Sequence, residues 1–385
     1  MFTFRLTSAL LFLLLALCAC GNPSGRLARP SPSDSAGSTS LASAQSTPSP
    51  AAVTSPAGEF LFAVVEGPPS TPGTVAIVGL DGYARAKAQF QPRVGPEIPD
   101  AYTPLQGVAQ VVGANVYYMD GTGTVRVLRV GSQPQVVAHF SLQPAQEDVW
   151  FAVSPDGSRV LAGILTFPAL GPSIPGTGWN TLIGPTKFDL ESASAGGQTT
   201  TLIHLEAPQG IDGPTPTFPV AWTSAGSVGM LPSHLTSQNA WQGGPLYMLD
   251  DSGRQAQQLG GSDCYAASML PTGFIPCISG TSVTVRDQSG SVRWTTHVSD
   301  FSALWLYLAP DGQAISDGLR VETHLGGMVA MPSGFRVEGW LDKNTVVGRM
   351  VIDDANEGNL AWVSLDNPTS VHDLGFKGDF VATLG

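Results

Sequence analysis

One pattern of apolar and polar positions recurs along residues 58–385. A short apolar segment leads into a turn, and a second apolar segment leaves it. The pattern is complete in Phe151–Leu161, where Ser154-Pro155-Asp156-Gly157 forms the turn. Proline fixes φ at its position, aspartate accepts hydrogen bonds from nearby amides, and glycine supplies a positive φ. Further copies in the same frame begin at Gln110, Ala221, Ser268, Leu306 and Gly339.

This repetition predicts an all-β fold, a single β-propeller. Two more strand-like segments follow most copies, as expected for four-stranded blades of ~40–50 residues. The six copies begin blades 2 to 7. Residues 60–90 supply three more strands, and residues 379–384 supply one. Together they complete a seventh blade and close the ring, so we predict seven four-stranded blades, with six or eight as alternatives. A pair of β-sandwiches would not explain the recurring turn frame.

The Pro-Asp-Gly turn gives the repeat its family resemblance. It occurs at Pro155-Asp156-Gly157 and Pro310-Asp311-Gly312, and this form resembles the repeat of TolB-type and WD-like bacterial β-propellers. The segment Gly280–Trp294 is similar to the quinoprotein-type propeller repeat. These resemblances imply contacts with envelope proteins and outer-membrane scaffolding. The partner-contact motifs of those families are not matched residue by residue.

The first twenty residues are typical of an export and anchoring signal. Arg5 precedes a compact apolar run, Leu10–Leu17, which is too short for a bilayer that needs roughly 20 apolar residues. The sequence Leu17-Cys18-Ala19-Cys20 resembles the bacterial lipobox, although Cys18 stands where alanine, serine or threonine is more usual. The resemblance implies a signal peptide over residues 1–19, cleavage before Cys20 and diacylglycerol on the Cys20 thiol. The alternative is a plain secretory signal with cleavage nearby.

Residues 20–57 are predicted to be a lipidated cysteine followed by a disordered tether. Their Ser, Pro, Ala, Thr and Gly composition cannot bury enough apolar surface to offset the entropy of ordering. We therefore expect residues 58–385 to form the only folded domain, anchored to the outer face of the cell membrane. In a bacterium with two membranes, Gly21 after the cysteine is compatible with the periplasmic face of the outer membrane.

Cysteine usage agrees with an exported location. After processing, Cys264 and Cys277 are the cysteines left besides Cys20. A turn at Leu270–Gly273 would place them opposite each other on an antiparallel pair, which is the geometry of a disulfide. A redox-active or metal-binding pair is the weaker alternative, because the spacing is not C-x-x-C and no histidines cluster nearby.

Charge restricts the class of partner. The chain carries 18 basic and 30 acidic side chains, a net charge of −12. Residues 1–57 hold three arginines and one aspartate, so 15 basic and 29 acidic side chains remain and the body is near −14. Such a field repels a phosphate backbone, and we expect no nucleic-acid partner.

No catalytic motif is present, and the question of enzyme activity stays open at this stage. Two loops of blades 3 and 4 contain aromatic and polar side chains suited to a peptide or glycan surface. The candidate binding residues are Phe167, Trp179, His234, Asn239 and Trp241. The alternative is that the aromatic side chains cover the apolar ends of their own blades.

An acidic segment in blade 7 is the one candidate metal site. Asp353, Asp354 and Glu357 offer carboxylates of the kind that Ca²⁺ binds. The segment lacks the ligand spacing of an EF-hand, and the alternative is a solvated hairpin tip. No other cofactor is predicted.

These observations favour a monomeric, membrane-anchored binding or scaffold protein whose propeller face contacts envelope proteins or glycans. Two alternatives remain open. One is an extracytoplasmic propeller enzyme, such as a lyase or a glycoside-active enzyme, which needs carboxylates or a His–Arg set at the central channel. The other is a solute-binding module with an apolar pocket among the loops of blades 3 and 4.

Overall fold

The structure is a computed structural model. It describes residues 60–66, 72–92, 108–143, 146–173, 180–207, 216–231, 243–266, 268–297, 306–353 and 356–385. These residues form an all-β propeller of seven blades, as predicted. The signal peptide, Cys20 and the tether lie outside the described residues. In the part of the chain that is described, no helix is long and apolar enough to cross a membrane.

The strands follow the predicted blade order. Blade 1 takes β1 (Leu61–Glu66), β2 (Gly73–Gly79) and β3 (Ala84–Phe90). Blade 2 takes β4 (Ala109–Val112), β5 (Asn115–Met119), β6 (Thr124–Leu128) and β7 (Gln135–His139). Blade 3 takes β8 (Glu147–Val153), β9 (Arg159–Thr166), an inserted pair β10 (Ala169–Ser173) and β11 (Asn180–Ile183), then β12 (Thr186–Ser194) and β13 (Thr199–Ala207). Blade 4 takes β14 (Phe218–Thr223), β15 (Gly226–Met230), β16 (Leu246–Leu249) and β17 (Gln255–Leu259).

The second half of the ring continues in the same way. Blade 5 takes β18 (Ile275–Ser279), β19 (Ser282–Arg286) and β20 (Val292–His297). Blade 6 takes β21 (Tyr307–Leu308), β22 (Ala314–Ser316), β23 (Arg320–Thr323) and β24 (Met328–Ala330). Blade 7 takes β25 (Phe335–Asp342), β26 (Thr345–Asp353), β27 (Asn356–Ser364) and β28 (Val371–Phe376), and β29 (Asp379–Thr383) returns to blade 1.

The C-terminal strand closes the ring as predicted. β29 pairs antiparallel with β1, with Ala382 opposite Ala63, and so becomes the first strand of a blade ordered β29-β1-β2-β3. The amide of Leu384 continues the pairing by donating to the carbonyl of Leu61 over 2.8 Å. As the first strand of blade 1, β29 contacts β25 and β4, the first strands of the two adjacent blades. Pairing strands from the two ends of the chain in one sheet removes free sheet edges at the seam.

The core is divided among the seven junctions between blades. The described residues contain seven hydrophobic clusters, and each is shared by two adjacent blades. At the junction of blades 3 and 4, the rings of Phe188 and Phe218 meet edge to face at 5.0 Å. Both side chains are fully buried, and each contributes about 1.5–3 kcal/mol relative to an exposed position. Successive side chains point to opposite faces of a sheet, so alternate residues of a strand pack against the preceding and the following blade.

Aspartates organise the tight turns that join the strands. Asp250 accepts hydrogen bonds from the amides of Ser252 and Arg254, both over 2.9 Å. In the frame predicted from the sequence, Asp156 accepts from the amide and hydroxyl of Ser158 and from the hydroxyl of Ser154. These bonds satisfy amides that no strand pairs, and they lower the pKa of the exposed Asp156 carboxyl to about 2.

The turns between third and fourth strands lie against the preceding blade. In blade 3, the amide of Gly196 donates to the carbonyl of Val137 in β7 over 3.0 Å. In blade 1, Gly82 has φ +76°, and a Cβ there would lie 2.1 Å from the carbonyl oxygen of Leu374 in β28. Glycine is required at this position both by its left-handed conformation and by the close backbone.

Blade 5 is the least regular of the four-stranded blades. Its sheet has three regular strands, and its first-strand position is taken by an irregular segment in which Ala266 makes two isolated bridges, one to Gly244 and one to Cys277. Cys264, two residues before Ala266, forms a disulfide with Cys277 at a Cα–Cα distance of 4.8 Å. Asp263 receives two hydrogen bonds from Arg286, at 2.6 and 2.9 Å. A covalent link, an ion pair and a few backbone hydrogen bonds, such as Ile278 to Tyr265, thus hold the segment that full strand ladders hold in the other blades.

Each blade has two ends, and the order of its strands determines which connections between strands lie at each end. We call the AB face the side of the disc where first strands lead into second strands and third strands into fourth strands. The BC face is the opposite side, where second strands lead into third strands and the chain crosses to the next blade.

Candidate functional site

Among the described residues, the largest addition to the repeating blade lies on the BC face. Strands β10 and β11 form a separate two-stranded sheet between β9 and β12 of blade 3, with Ala169 opposite Ile183 and Ser173 opposite Asn180. The four strands of blade 3 pair without it. We call β10 and β11 the blade 3 hairpin. Because ring formation does not require it, the hairpin is the first candidate for a functional element.

The base of the blade 3 hairpin is anchored in the core. The amide of Phe167, just after β9, donates to the carbonyl of Gln146 over 2.8 Å. The Phe167 ring is 8% exposed and lies in the same cluster as Leu165, Phe188 and Phe218. Phe167 is therefore a packing residue, and its side chain is not available on the surface for which it was a candidate. It fixes the direction in which the hairpin leaves blade 3.

The other candidate binding residues are not placed by the structure. Trp179, His234, Asn239 and Trp241 lie outside the described residues. The strands that flank the blade 4 loop end at the BC face, where the amide of Leu231 donates to the carbonyl of Pro245 over 2.9 Å.

Two buried acids lie under the hairpin at the start of β8. Glu147 accepts from the amide of Gln143 over 2.6 Å and from the hydroxyl of Thr166 over 3.2 Å. Asp148 is fully buried and accepts from the amide of Val149 over 2.9 Å. The bond from Thr166 to Glu147 fastens the entry of the first strand of blade 3 to the residue from which the hairpin departs. It pre-organises the hairpin base.

A second polar group lies at the seam between blades 7 and 1, near the BC face. The guanidinium of Arg349 donates to both carboxylate oxygens of Glu338, to Asp379 over 2.9 Å and to the carbonyl of Gly378 over 3.1 Å. Glu338 also accepts from the backbone of Phe380. Arg349 is 6% exposed, so this is a buried ion pair.

Burial changes the titration of this group. Desolvation raises the pKa of Glu338, and its hydrogen bond to Arg349 opposes the shift. Burial also raises the pKa of the nearby Tyr307 hydroxyl, and the charge of Glu338 adds to that effect. A carboxyl with a raised pKa beside an arginine is a combination that enzymes use. Here the donors of Arg349 and the oxygens of Glu338 bind the closing strand, so we interpret the group as the closure of the ring.

The ion-pair group around Arg349 could hardly be predicted from the sequence. Glu338, Arg349 and Asp379 are separated by 11 and 30 positions. The one signal was Arg349 itself, a charged residue inside the otherwise apolar run Val346–Ile352. A charge within a buried strand requires a partner, but its identity could not be read from the sequence.

The acidic segment of blade 7 is a short connection. Asp353 at the end of β26 pairs with Asn356 at the start of β27. Asp354 lies outside the described residues, and the side chains of Asp353 and Glu357 are not described. Among the side chains that are described, no group of three or more His, Cys, Asp or Glu is placed to hold a metal ion. The Ca²⁺ site thus stays a prediction.

The described histidines lie on five different blades and do not converge. They contact Thr124, Asp189, Ser282, the carbonyl of Gln313 and the ring of Trp362. The nearest to a catalytic pair is His204 with Asp189, at 2.7 Å on the third and fourth strands of blade 3. His204 also lies 3.8 Å from Glu206, so its second ring nitrogen faces another carboxylate. This acid–histidine–acid arrangement contains no serine, threonine or cysteine nucleophile.

Comparison with known proteins adds no family assignment. No family model matches the sequence, and no curated protein matches it. Among solved structures, a protein of unknown function from Bacteroides caccae has a TM-score of 0.41 at 10% identity, covering 85% of this chain and 98% of that one. Oligogalacturonate lyase from Vibrio parahaemolyticus has a TM-score of 0.40 at 9% identity, covering 76% and 82%. The WD40 β-propeller domain of Doa1 has a TM-score of 0.26 at 13% identity, covering 81% and 95%. At these values the likenesses carry no argument about function.

Proposed function

We propose that the protein is an exported, lipid-anchored binding propeller that presents its BC face to a protein or glycan of the cell envelope. The blade 3 hairpin is the observation that carries the proposal. A propeller blade needs four strands, and the hairpin adds two more on one face of the disc. A scaffold that positions a protruding element is the usual way in which a repeat fold acquires a binding site.

The base of the hairpin supports this role because it is rigid. Phe167 is held by the core between blades 3 and 4, and Thr166 is bonded to the buried Glu147. A segment held at its base loses less entropy on binding than a free loop. The described side chains beyond the base are partly or fully open to solvent, as at Ala169, Gly171 and Pro172.

The disulfide supports the exported location. Disulfides persist in oxidising compartments and are rare in the cytosol of most cells. Cys264 and Cys277 are 2% and 3% exposed, so the bond is part of the core of blade 5 rather than a surface thiol pair. Together with the lipobox at Cys20, it favours a protein that is folded outside the cytoplasm.

Charge supports a partner that is neutral or basic. The body carries a net charge near −14, which disfavours acidic polymers. A neutral glycan or a basic protein surface meets no such repulsion, and a basic surface would be steered toward the disc at low salt.

Deletion of the hairpin tests the binding role. In the test variant, residues 168–184 are replaced by Asn-Gly, which leaves a five-residue loop between the paired residues Thr166 and Lys187 and keeps Phe167 in place. The control changes Thr199 and Thr200, exposed residues of the fourth strand of the same blade, to serine. Partners are cross-linked on whole cells and identified, and binding to isolated cell-wall polysaccharide is measured in parallel. We expect the deletion to lose the partner at an unchanged Tm and the control to keep it. A partner retained by the folded deletion variant would refute the proposal.

Substitution of Cys20 tests the anchor independently. In Cys20→Ser the diacylglycerol acceptor is absent, so we expect the protein to move from the membrane fraction to the soluble exported fraction. Metabolic labelling with a fatty-acid analogue should mark the wild type and not the variant. A Cys20→Ser protein that stays with the membrane would show that something other than the lipid holds it there.

A further inference from the structure

The described chain enters the propeller at the AB face. β1 is the second strand of blade 1, and its first residues pair with the last residues of β29, since Phe62 lies opposite Thr383. Phe60, just before β1, is therefore at the AB end of the blade, and it is 49% exposed. Residues 20–59, which carry the predicted lipid at Cys20, thus join the disc on this side.

The C-terminus lies on the same side. β29 runs from the BC face to the AB face, and the amide of Gly385 donates to the carbonyl of Gly113 over 3.1 Å. Gly113 is in the turn between the first two strands of blade 2. The AB face therefore holds both ends of the described chain, and the blade 3 hairpin stands on the opposite face.

Exposed apolar side chains are unevenly divided between the two faces. Eight large hydrophobic residues are exposed among those described. Two of them, Val108 and Leu319, lie at BC ends of their blades. The other six lie at AB ends and are Phe60 (49%), Tyr83 (71%), Val136 (57%), Val292 (58%), Leu325 (84%) and Met328 (62%).

Two of these exposed apolar side chains lie in turns, where apolar residues are uncommon. Tyr83 and Leu325 follow third strands, in turns where polar residues are the rule. Tyrosine and leucine at the tips of turns, and methionine at the start of the adjoining strand, can enter the boundary between headgroups and acyl chains, about 5–10 Å deep. Acidic turn residues, Asp81 and Asp287 among them, are on the same face and disfavour anionic headgroups.

We propose that the AB face rests on the lipid bilayer that holds the anchor, with its exposed apolar side chains in the interface, so that the BC face points away from the membrane. This inference rests on the proposed lipid anchor and adds an orientation to it. The occupant is a bilayer surface because the tether starts there. The predicted tether of about 36 residues would have, as a random coil, a mean reach of roughly 30–40 Å, which keeps the AB face within range of the lipid.

Blade 6 provides a matched pair of reporters for the test. Leu319 is in its BC turn and Leu325 in its AB turn, and both are leucines that are mostly exposed, at 68% and 84%. Leu319→Cys and Leu325→Cys are made in the full chain with Cys20 lipidated, labelled with an environment-sensitive fluorophore and reconstituted into phosphatidylcholine liposomes. A third reporter, Ala195→Cys in an AB turn of blade 3, removes no apolar side chain. Quenching by a nitroxide on the lipid headgroup measures proximity to the bilayer.

We expect strong quenching at Leu325→Cys and Ala195→Cys and little at Leu319→Cys. Adding Tyr83→Ser and Leu325→Ser to the Ala195→Cys protein should reduce the quenching there without lowering Tm. Equal quenching at positions 319 and 325 in liposomes that carry the protein would overturn the orientation and leave the anchor intact. Protein that does not float with the liposomes would instead overturn the anchor, and the orientation with it. Anionic liposomes should give weaker quenching at position 195 than phosphatidylcholine.

Discussion

Removal of the Arg349 side chain should weaken the seam that closes the ring. Arg349 in β26 joins Glu338 of blade 7 to Gly378 and Asp379 of the closing strand β29. In Arg349→Met, a side chain of similar length fills the space but donates no hydrogen bond. The carboxylate of Glu338 then lies buried without its charge partner, which is the costly way to break a buried ion pair.

The expected loss follows from the burial of the pair. Removing one partner of a buried ion pair costs about 3–5 kcal/mol. For a domain of about 325 residues, an unfolding entropy of about 2.1 cal/mol/K per residue gives a Tm decrease of roughly 4–7 °C.

The loss should also depend on pH. Without Arg349, the already raised pKa of Glu338 rises further, because the hydrogen bond that opposed the shift is gone. A carboxyl whose pKa is raised in the folded state stabilises the fold below its unfolded pKa, and that stability is lost as pH rises through the folded pKa. We therefore expect Arg349→Met to be closer to the wild type near pH 4.5 than near pH 8.

Chemical unfolding of the wild type, Arg349→Met, Glu338→Gln and the double variant across this pH range measures the effect. The double variant should recover part of the loss, since no buried carboxylate remains, and should lack the extra pH dependence. If Arg349→Met were as stable as the wild type, or if its loss were equal at pH 4.5 and pH 8, the assignment of this group to ring closure would be refuted.

Three further predictions concern the turns and blade 5. Replacing Cys264 and Cys277 by serine should cost about 3 kcal/mol in the chain-entropy model and increase hydrogen exchange in blade 5; unchanged exchange there would contradict it. Asp156→Asn should remove stability that the wild type holds above pH 3.8 and loses as pH falls through about 2, so that acid unfolding curves of the two proteins converge at low pH. Gly82→Ala should lower stability by at least 1 kcal/mol or so, since a Cβ there meets a backbone carbonyl at 2.1 Å. Gly113→Ala, at φ +56° with open space around it, is its control and should cost less in the same thermal unfolding assay.

Much of the fold could be predicted because its signals are local. The turn at Ser154–Gly157 and its copies require particular residues within four positions, and every copy marks the junction of the first and second strands of a blade. Closure of the ring could be inferred by counting strands. Residues 60–90 supply only three strands of blade 1, and residues 379–384 supply one strand that belongs to no other blade. Blade 5 was less regular than predicted, because its first strand is held by Cys264 and Asp263 and makes isolated bridges only at Ala266.

The candidate site was predicted less well, for physical reasons. Phe167 belongs by sequence to a loop whose aromatic residues were candidates for a binding surface, but its ring turns back into the core between blades 3 and 4. Its burial depends on Phe188 and Phe218, which come from other strands, so no local pattern could distinguish a packing aromatic from a presented one.

The amino-acid sequence by itself determined the all-β class, the blade boundaries and the pairing of the chain ends, because these follow from strand alternation and turn chemistry over a few neighbouring residues. Only the tertiary structure decided what lies on each face of the disc. Arg349 meets Asp379, and Phe60 comes to the same face as the exposed apolar turns, only after seven blades have been stacked and the ring closed. Such contacts depend on which blades become neighbours and on the direction in which each strand runs. Neither can be read from the sequence of a single strand.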